Sequence, residues 1–178
     1  MYRKQKTENR YQVSGIRYYL LLLILVMSMT TLFSAQAPSF VIETMTGERI
    51  RSETLLEKGP IFLEFWNIGC RPCLLFLPHV SEFVGKYPEM TFVAVNTDGP
   101  RHVNNATSRV RSSRWAFITA LDGTRDLQRL FNVTSNPHTI IINQAGEIVY
   151  NGTGFNAGDE AKFEEIIVNI LQAGKDEE

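Results

Sequence analysis

Apolar and polar positions along this chain recur with two periods, and the periods place the elements. Ile61 to Trp66 is almost unbroken in hydrophobicity, as expected of a strand covered on both faces. From Cys70 to about Tyr87, the residues Leu77, Val80, Val84 and Tyr87 return at helical spacing and predict a helix with one buried stripe. Pro78 lies inside that helix, where a missing amide and a ring clash should bend it. Met90 to Asn96 predicts the next strand through Phe92, Val93 and Val95, and Thr97-Asp98-Gly99-Pro100 breaks it. Arg101 to about Arg114 is polar, weakly helical and rich in arginine, the pattern of a solvated helix face. Arg125 to Phe131 supplies another short helix.

The two ends complete the order. Ser39 to Glu43 alternates and runs into the turn Thr46-Gly47-Glu48, and Ser52 to Lys58 makes a helical turn or two before Gly59-Pro60. His138 to Asn143 is a β-branched strand, Asn143-Gln144-Ala145-Gly146 a turn, and Glu147 to Tyr150 its hairpin partner. Gly152 and Gly154 then allow close approach or unusual backbone angles. Ala161 to Leu171 closes the chain with Phe163, Ile166, Ile167, Ile170 and Leu171 at helical spacing, and the tail from Lys175 is expected to fray. Strand, helix, strand, helix, hairpin, helix is an α/β order whose first two strands a right-handed crossover makes parallel.

Charge divides the chain in two. The overall net charge is −1, yet residues 1–37 hold Arg3, Lys4, Lys6, Arg10 and Arg17 against Glu8, which makes +4 and leaves −5 for the rest. An acidic globular part argues against a general nucleic-acid surface. The basic start, the apolar run Tyr18 to Phe33 and the ending Ala35-Gln36-Ala37 have the three parts of an export signal. Pro38 fits poorly after a cleavage point, so residues 1–37 read either as a removed signal or as a retained amino-terminal anchor touching the membrane through 18–33. Basic residues before the apolar run place the domain, residues 38–178, outside the cytoplasm in either case.

The chain has two cysteines, Cys70 and Cys73, three apart at the start of the predicted helix. A helix amino-terminus stabilises a thiolate, so the leading thiol is a nucleophile and the pair can close and reopen a disulfide. A bridge over two intervening residues removes little unfolded-state entropy, far less than the ~3 kcal/mol of a fifteen-residue loop. Its better use is as a reversible couple. A zinc site would need four ligands, and His79, His102 and His138 have no paired spacing with the cysteines.

Phe65-Trp66, Cys70-Arg71-Pro72-Cys73, the helix proline Pro78 and Asn136-Pro137-His138-Thr139 together resemble the thioredoxin superfamily, in particular its exported TlpA/ResA-like branch of thiol-disulfide oxidoreductases. The resemblance spans roughly residues 38–172 and implies a three-layer sandwich: a central mixed sheet, helices on both faces, and an insertion at about Asp98 to Phe131 between the βαβ and ββα halves. It implies that Cys70 forms a mixed disulfide with a partner protein and that Cys73 resolves it. Pro137 resembles the cis-proline facing the pair, which lets the Asn136 backbone present polar groups to an extended client chain. Glu64 stands six residues before Cys70, where several thioredoxins bury an acid; a desolvated carboxyl there could relay a proton to or from Cys73. The alternative for Glu64 is a side chain that reaches solvent at a strand edge.

Departures from the pattern matter as well. Gly69 replaces a tryptophan, and Leu74, Leu75 and Phe76 stand where relatives carry charges. Any of these that is exposed enlarges an apolar docking patch. Arg71 between the thiols favours thiolate, while His79 and His138 read as structural histidines. The resemblance implies an extracytoplasmic reductase of protein disulfides, fed by a membrane electron-donor protein, with no cofactor beyond the Cys70–Cys73 disulfide. A non-catalytic, membrane-tethered protein- or peptide-binding module is the competing reading, and a peroxide-reducing relative ranks behind both.

Overall fold

The computed structural model describes residues 35–176. Residues 1–34 of the proposed signal or anchor, 18–33 included, lie outside them. Among the described residues no helix is long and apolar enough to cross a membrane.

Among the described residues, thirteen elements follow in chain order. They are β1 (Ala35–Gln36), β2 (Val41–Glu43), β3 (Arg49–Arg51), α1 (Ser52–Leu56), β4 (Ile61–Trp66), α2 (Arg71–Lys86) and β5 (Thr91–Asn96). After these come α3 (Val103–Ser113), β6 (Ile118–Leu121), α4 (Asp126–Leu130), β7 (His138–Ile142), β8 (Glu147–Thr153) and α5 (Asp159–Asp176). Six strands form one sheet in the order β1-β8-β7-β4-β5-β6, and β2 and β3 form a separate hairpin. β4, β5 and β6 are parallel, whereas β7 and β8 run antiparallel on the other side of β4. The mixed sheet expected of the fold is present.

All six residues of β4 are buried, because both faces of this central strand are covered. Alternation sends Phe62, Glu64 and Trp66 to one face and Ile61, Leu63 and Phe65 to the other. The first face packs with Phe76, Leu77 and Val80 of α2, Ala106 and Val110 of α3, and Phe163 and Ile167 of α5. Phe76 lies at the centre, stacked on Phe155 at 4.4 Å and close to Phe163 at 4.8 Å. The second face packs with Phe40 just before the hairpin and Ile42 within it, Leu55 of α1, and Leu127 of α4 with Phe131 and Val133 after it. Each such side chain, fully buried, contributes about 1.5–3 kcal/mol. Two helical or hairpin layers thus clamp the sheet and fix the carboxyl end of β4, where the cysteines follow.

The structure adds elements that hydrophobic runs did not reveal. β6 lies within the insertion, parallel to β5, and Thr44 and Met45 from the hairpin reach its outer edge through the Thr44–Ala120 bridge and the Met45 amide on the Thr119 carbonyl at 3.1 Å. Residues Ala35 and Gln36 pair with Ile148 and Glu147, so the sheet takes in two residues of the expected leader. β8 extends to Thr153 rather than Tyr150, and α5 runs to Asp176, past the start of the expected fraying. α2 continues through Pro78.

Candidate redox site

α2 begins where β4 has delivered the chain to the end of the sheet. Cys70 is the cap of the helix, with its backbone still extended, and its sulfur accepts the Cys73 amide at 3.2 Å. Arg71 and Pro72 fill the first helical positions, where an amide has no intrahelical partner and proline is therefore tolerated. Cys70 and Cys73 are joined by a disulfide, with Cα atoms 5.3 Å apart. The two sulfurs differ in access. Cys70 is half-buried and Cys73 wholly buried, packed with Trp66, Phe76 and Leu77. Only one end of the couple is open to solvent, and that end carries the helix amino-terminus.

Pro137 follows a cis peptide bond from Asn136, as the resemblance implies, and stands immediately before β7. β7 pairs with β4 up to Phe65 and His138. Both nitrogens of His138 are bonded, Nδ1 to Thr153 Oγ1 and Nε2 to Asn151 Oδ1, each at 2.7 Å. Burial pushes the imidazole below its ordinary pKa. These partners make His138 a tie between β7 and β8.

Glu64 is not at a strand edge. It is wholly buried on the face covered by α2, between Phe62 and Trp66, which share a cluster with Cys73. Its Oε2 accepts the Thr139 hydroxyl at 2.6 Å, and its Oε1 has no hydrogen-bond partner among the described residues. Its cross-strand neighbours are Ala94 and Thr139, neither of them a cation. Burial pushes the carboxyl up to about 8, against a smaller lowering by the Thr139 bond. Such a group can hold a proton near neutral pH and exchange it.

A polar network fastens the loops around the pair. The Asp98 carboxylate accepts the Ile68 amide and the Asn96 side-chain amide, each at 2.8 Å. Thr97 donates its hydroxyl to the Trp66 carbonyl at 3.1 Å and accepts from Asn136 Nδ2 at 2.7 Å. Thr97 and Asp98 read as turn residues in the sequence. Their position just past a parallel strand adjoining the cysteine strand is the signal that could have marked them. Of the three residues after Cys73, Phe76 is buried, Leu74 half-buried and Leu75 57% exposed, an apolar side chain held in solvent one turn from the disulfide.

Known proteins resemble this chain in sequence and in fold. A family described as thioredoxin-like matches residues 59–148. Thiol-disulfide oxidoreductase ResA of Halalkalibacterium halodurans is 35% identical over 122 residues, 67% of either chain. ResA of Bacillus subtilis is 32% identical over 123 residues, 67% of this chain and 66% of the relative. The match thus spans about two thirds of each relative. A crystal structure from Chlorobium tepidum, assigned as a thiol:disulfide interchange protein DsbE, superposes with a TM-score of 0.70 at 26% identity, over 78% of this chain and 96% of that one. StoA of Bacillus subtilis shares the fold, with a TM-score of 0.61 at 22% identity over 74% and 97% of the two chains. With its cysteine pair capping the helix after the central strand, the chain belongs to the thioredoxin-like family, among the ResA-type thiol-disulfide oxidoreductases.

Proposed function

We propose that this protein reduces disulfides of client proteins outside the cytoplasm, with Cys70 as nucleophile and Cys73 as resolving thiol. In the reduced form the Cys70 thiolate attacks one sulfur of a client disulfide and expels the other as a thiolate. In molecules where Glu64 is ionised, a form that gains ground as pH rises towards 8, its carboxylate takes the Cys73 proton and the Cys73 sulfur attacks the Cys70 sulfur. The second client thiol leaves, and the Cys70–Cys73 disulfide holds the two electrons' worth of oxidation. A dithiol donor of the membrane, the partner the family resemblance implies, returns two electrons and two protons. The backbone of the half-buried Asn136, before the cis bond to Pro137, pairs with an extended client segment, and the exposed Leu75 adds apolar contact. No cofactor besides the disulfide enters this cycle.

The observation that carries the reading is the asymmetry of the couple: Cys70 is accessible at a helix cap while Cys73 is buried behind it. The extracytoplasmic address rests on the basic, apolar, small-residue order of residues 1–37. Reduction of insulin by the domain tests the assignment. Cys70→Ser should abolish turnover, and Cys73→Ser should accumulate a mixed disulfide through Cys70. Full turnover by the Cys70→Ser protein would sink it, and a non-catalytic binding module would then be the better account.

A further inference from the structure

We infer that Thr97 is a positioning residue for client binding, whose hydroxyl holds the loop of Cys70 and the segment of Pro137 in register as the two sides of one groove. The inference rests on the proposed reduction of protein disulfides and concerns how the client is gripped.

β5 and β7 flank β4 on opposite sides. The β4–β7 ladder stops at Phe65 and His138, so it does not tie Asn136 and Pro137 to the chain that leads to Cys70. The bond from Asn136 Nδ2 to Thr97 Oγ1, at 2.7 Å, therefore crosses the end of β4 from one flanking strand to the other. From Thr97 the link passes into β4 itself. Its hydroxyl donates to the Trp66 carbonyl at 3.1 Å, and the same carbonyl accepts the Thr97 amide at 2.8 Å. Trp66 is four residues before Cys70. A hydroxyl has one hydrogen to give, and here Thr97 gives it to Trp66 while accepting from Asn136, so the three groups form one directed chain.

Two further facts make the hydroxyl hard to replace. Thr97 is 8% exposed, so water cannot readily take its place. Asn136 Oδ1 is buried with no partner among the described residues, which leaves Thr97 as the anchor of that side chain. Asp98 accepts the Ile68 amide at 2.8 Å and steadies the same loop independently of Thr97. Without the Thr97 hydroxyl, Cys70 keeps its helix cap and Asp98 keeps the loop, but the Pro137 segment is released from them. A small disulfide meets Cys70 alone. An extended client meets Cys70 and the segment of Asn136 together, so only the client should sense the change.

Steady-state reduction of insulin and of hydroxyethyl disulfide by Thr97→Val and Thr97→Ser variants tests this. Valine keeps the shape and removes the hydroxyl; serine keeps the hydroxyl. Thr97→Val should raise the insulin KM about tenfold, the scale of one lost hydrogen bond, with kcat and the hydroxyethyl disulfide rate within about twofold of the parent. Thr97→Ser should behave as the parent. Should Thr97→Val fail to fold, Asn136→Ala should give the same split between the two substrates. An unchanged insulin KM overturns the inference, and so does an equal loss on both substrates, which would make Thr97 a folding residue only. A parent protein that reduces neither substrate overturns instead the proposed function on which the inference rests.

Discussion

Replacing Glu64 by glutamine should change how the stability of this protein depends on pH, in a direction and over a range that its surroundings specify. The carboxyl is wholly buried, with the Thr139 hydroxyl on one oxygen and no cation beside it in the sheet. Burial raises its pKa from 4.5 to about 8. Each pH unit of that gap corresponds to about 1.4 kcal/mol, so ionisation inside the fold is disfavoured by about 5 kcal/mol. Below pH 4.5 the carboxyl is protonated in both folded and unfolded chains, and the folded state bears no penalty from it. Between pH 4.5 and 8 the unfolded chain ionises while the folded one keeps its proton, and stability declines by about 1.4 kcal/mol per pH unit. Above pH 8 both forms are ionised and the loss levels off.

Against a total stability of about 5–15 kcal/mol this is a large term. Glu64→Gln removes the titration but leaves a buried amide, whose unsatisfied hydrogens cost about 1–3 kcal/mol at every pH. The informative quantity is therefore the slope of the difference between the two proteins. Urea unfolding of the oxidised proteins at intervals from pH 5 to 8 measures it. The variant should gain on the parent throughout that range, by about 4 kcal/mol in all. Parallel stability curves would refute the argument, since they would require Glu64 to be ionised in the fold or protonated in the unfolded chain at the same pH.

The same substitution should slow release of the client from the mixed disulfide, by about 100-fold or more if Glu64 takes the Cys73 proton, as quenched-flow trapping of that intermediate would reveal. His138 titrates in the opposite sense: its lowered pKa contributes stability that is complete above about pH 6.5 and declines as pH falls through the folded value. A His138→Gln protein should accordingly lose less stability than the parent on acidification from pH 7 to 5, and equal losses would remove His138 from the account. Gly59 has φ of +136°, and a Cβ there would run into the Glu89 carbonyl. Gly59→Ala should cost at least about 2 kcal/mol in urea unfolding, and an unchanged midpoint would contradict the geometry. Leu75→Ser should leave the unfolding free energy within about 0.5 kcal/mol of the parent, because the side chain is 57% exposed, while raising the insulin KM.

The local pattern of the chain carried most of the fold. A continuous apolar run identifies β4, helical spacing identifies α2 and α5, and Cys-Arg-Pro-Cys at their junction states the chemistry, because these depend on residues near one another in sequence. β6 escaped because Ile118–Leu121 is four residues long, and so brief an apolar run has no distinguishing period. The apolar stretch from Phe117 to Leu121 before Asp122-Gly123 was the available signal. β1 and β3 owe their existence to partners elsewhere in the fold, which two or three residues cannot announce. Glu64 could be placed in a strand from sequence, yet whether it was buried depended on β5 and β7 flanking it. The bond of Thr97 to Asn136 joins residues 39 apart and arises from strand order, not from any motif.

The long strand β8 and the outer strand β6 of the main sheet each carry partial cover. Ala35 and Gln36 lie against β8, and Thr44 with Met45 lies against β6. An uncovered strand margin invites a second molecule to extend the sheet, and from there filaments grow. These two short coverings work as guards against such polymerisation, so loss of the β1 residues, as processing after Ala37 would bring, should be felt first in solubility at high concentration and only afterwards in turnover.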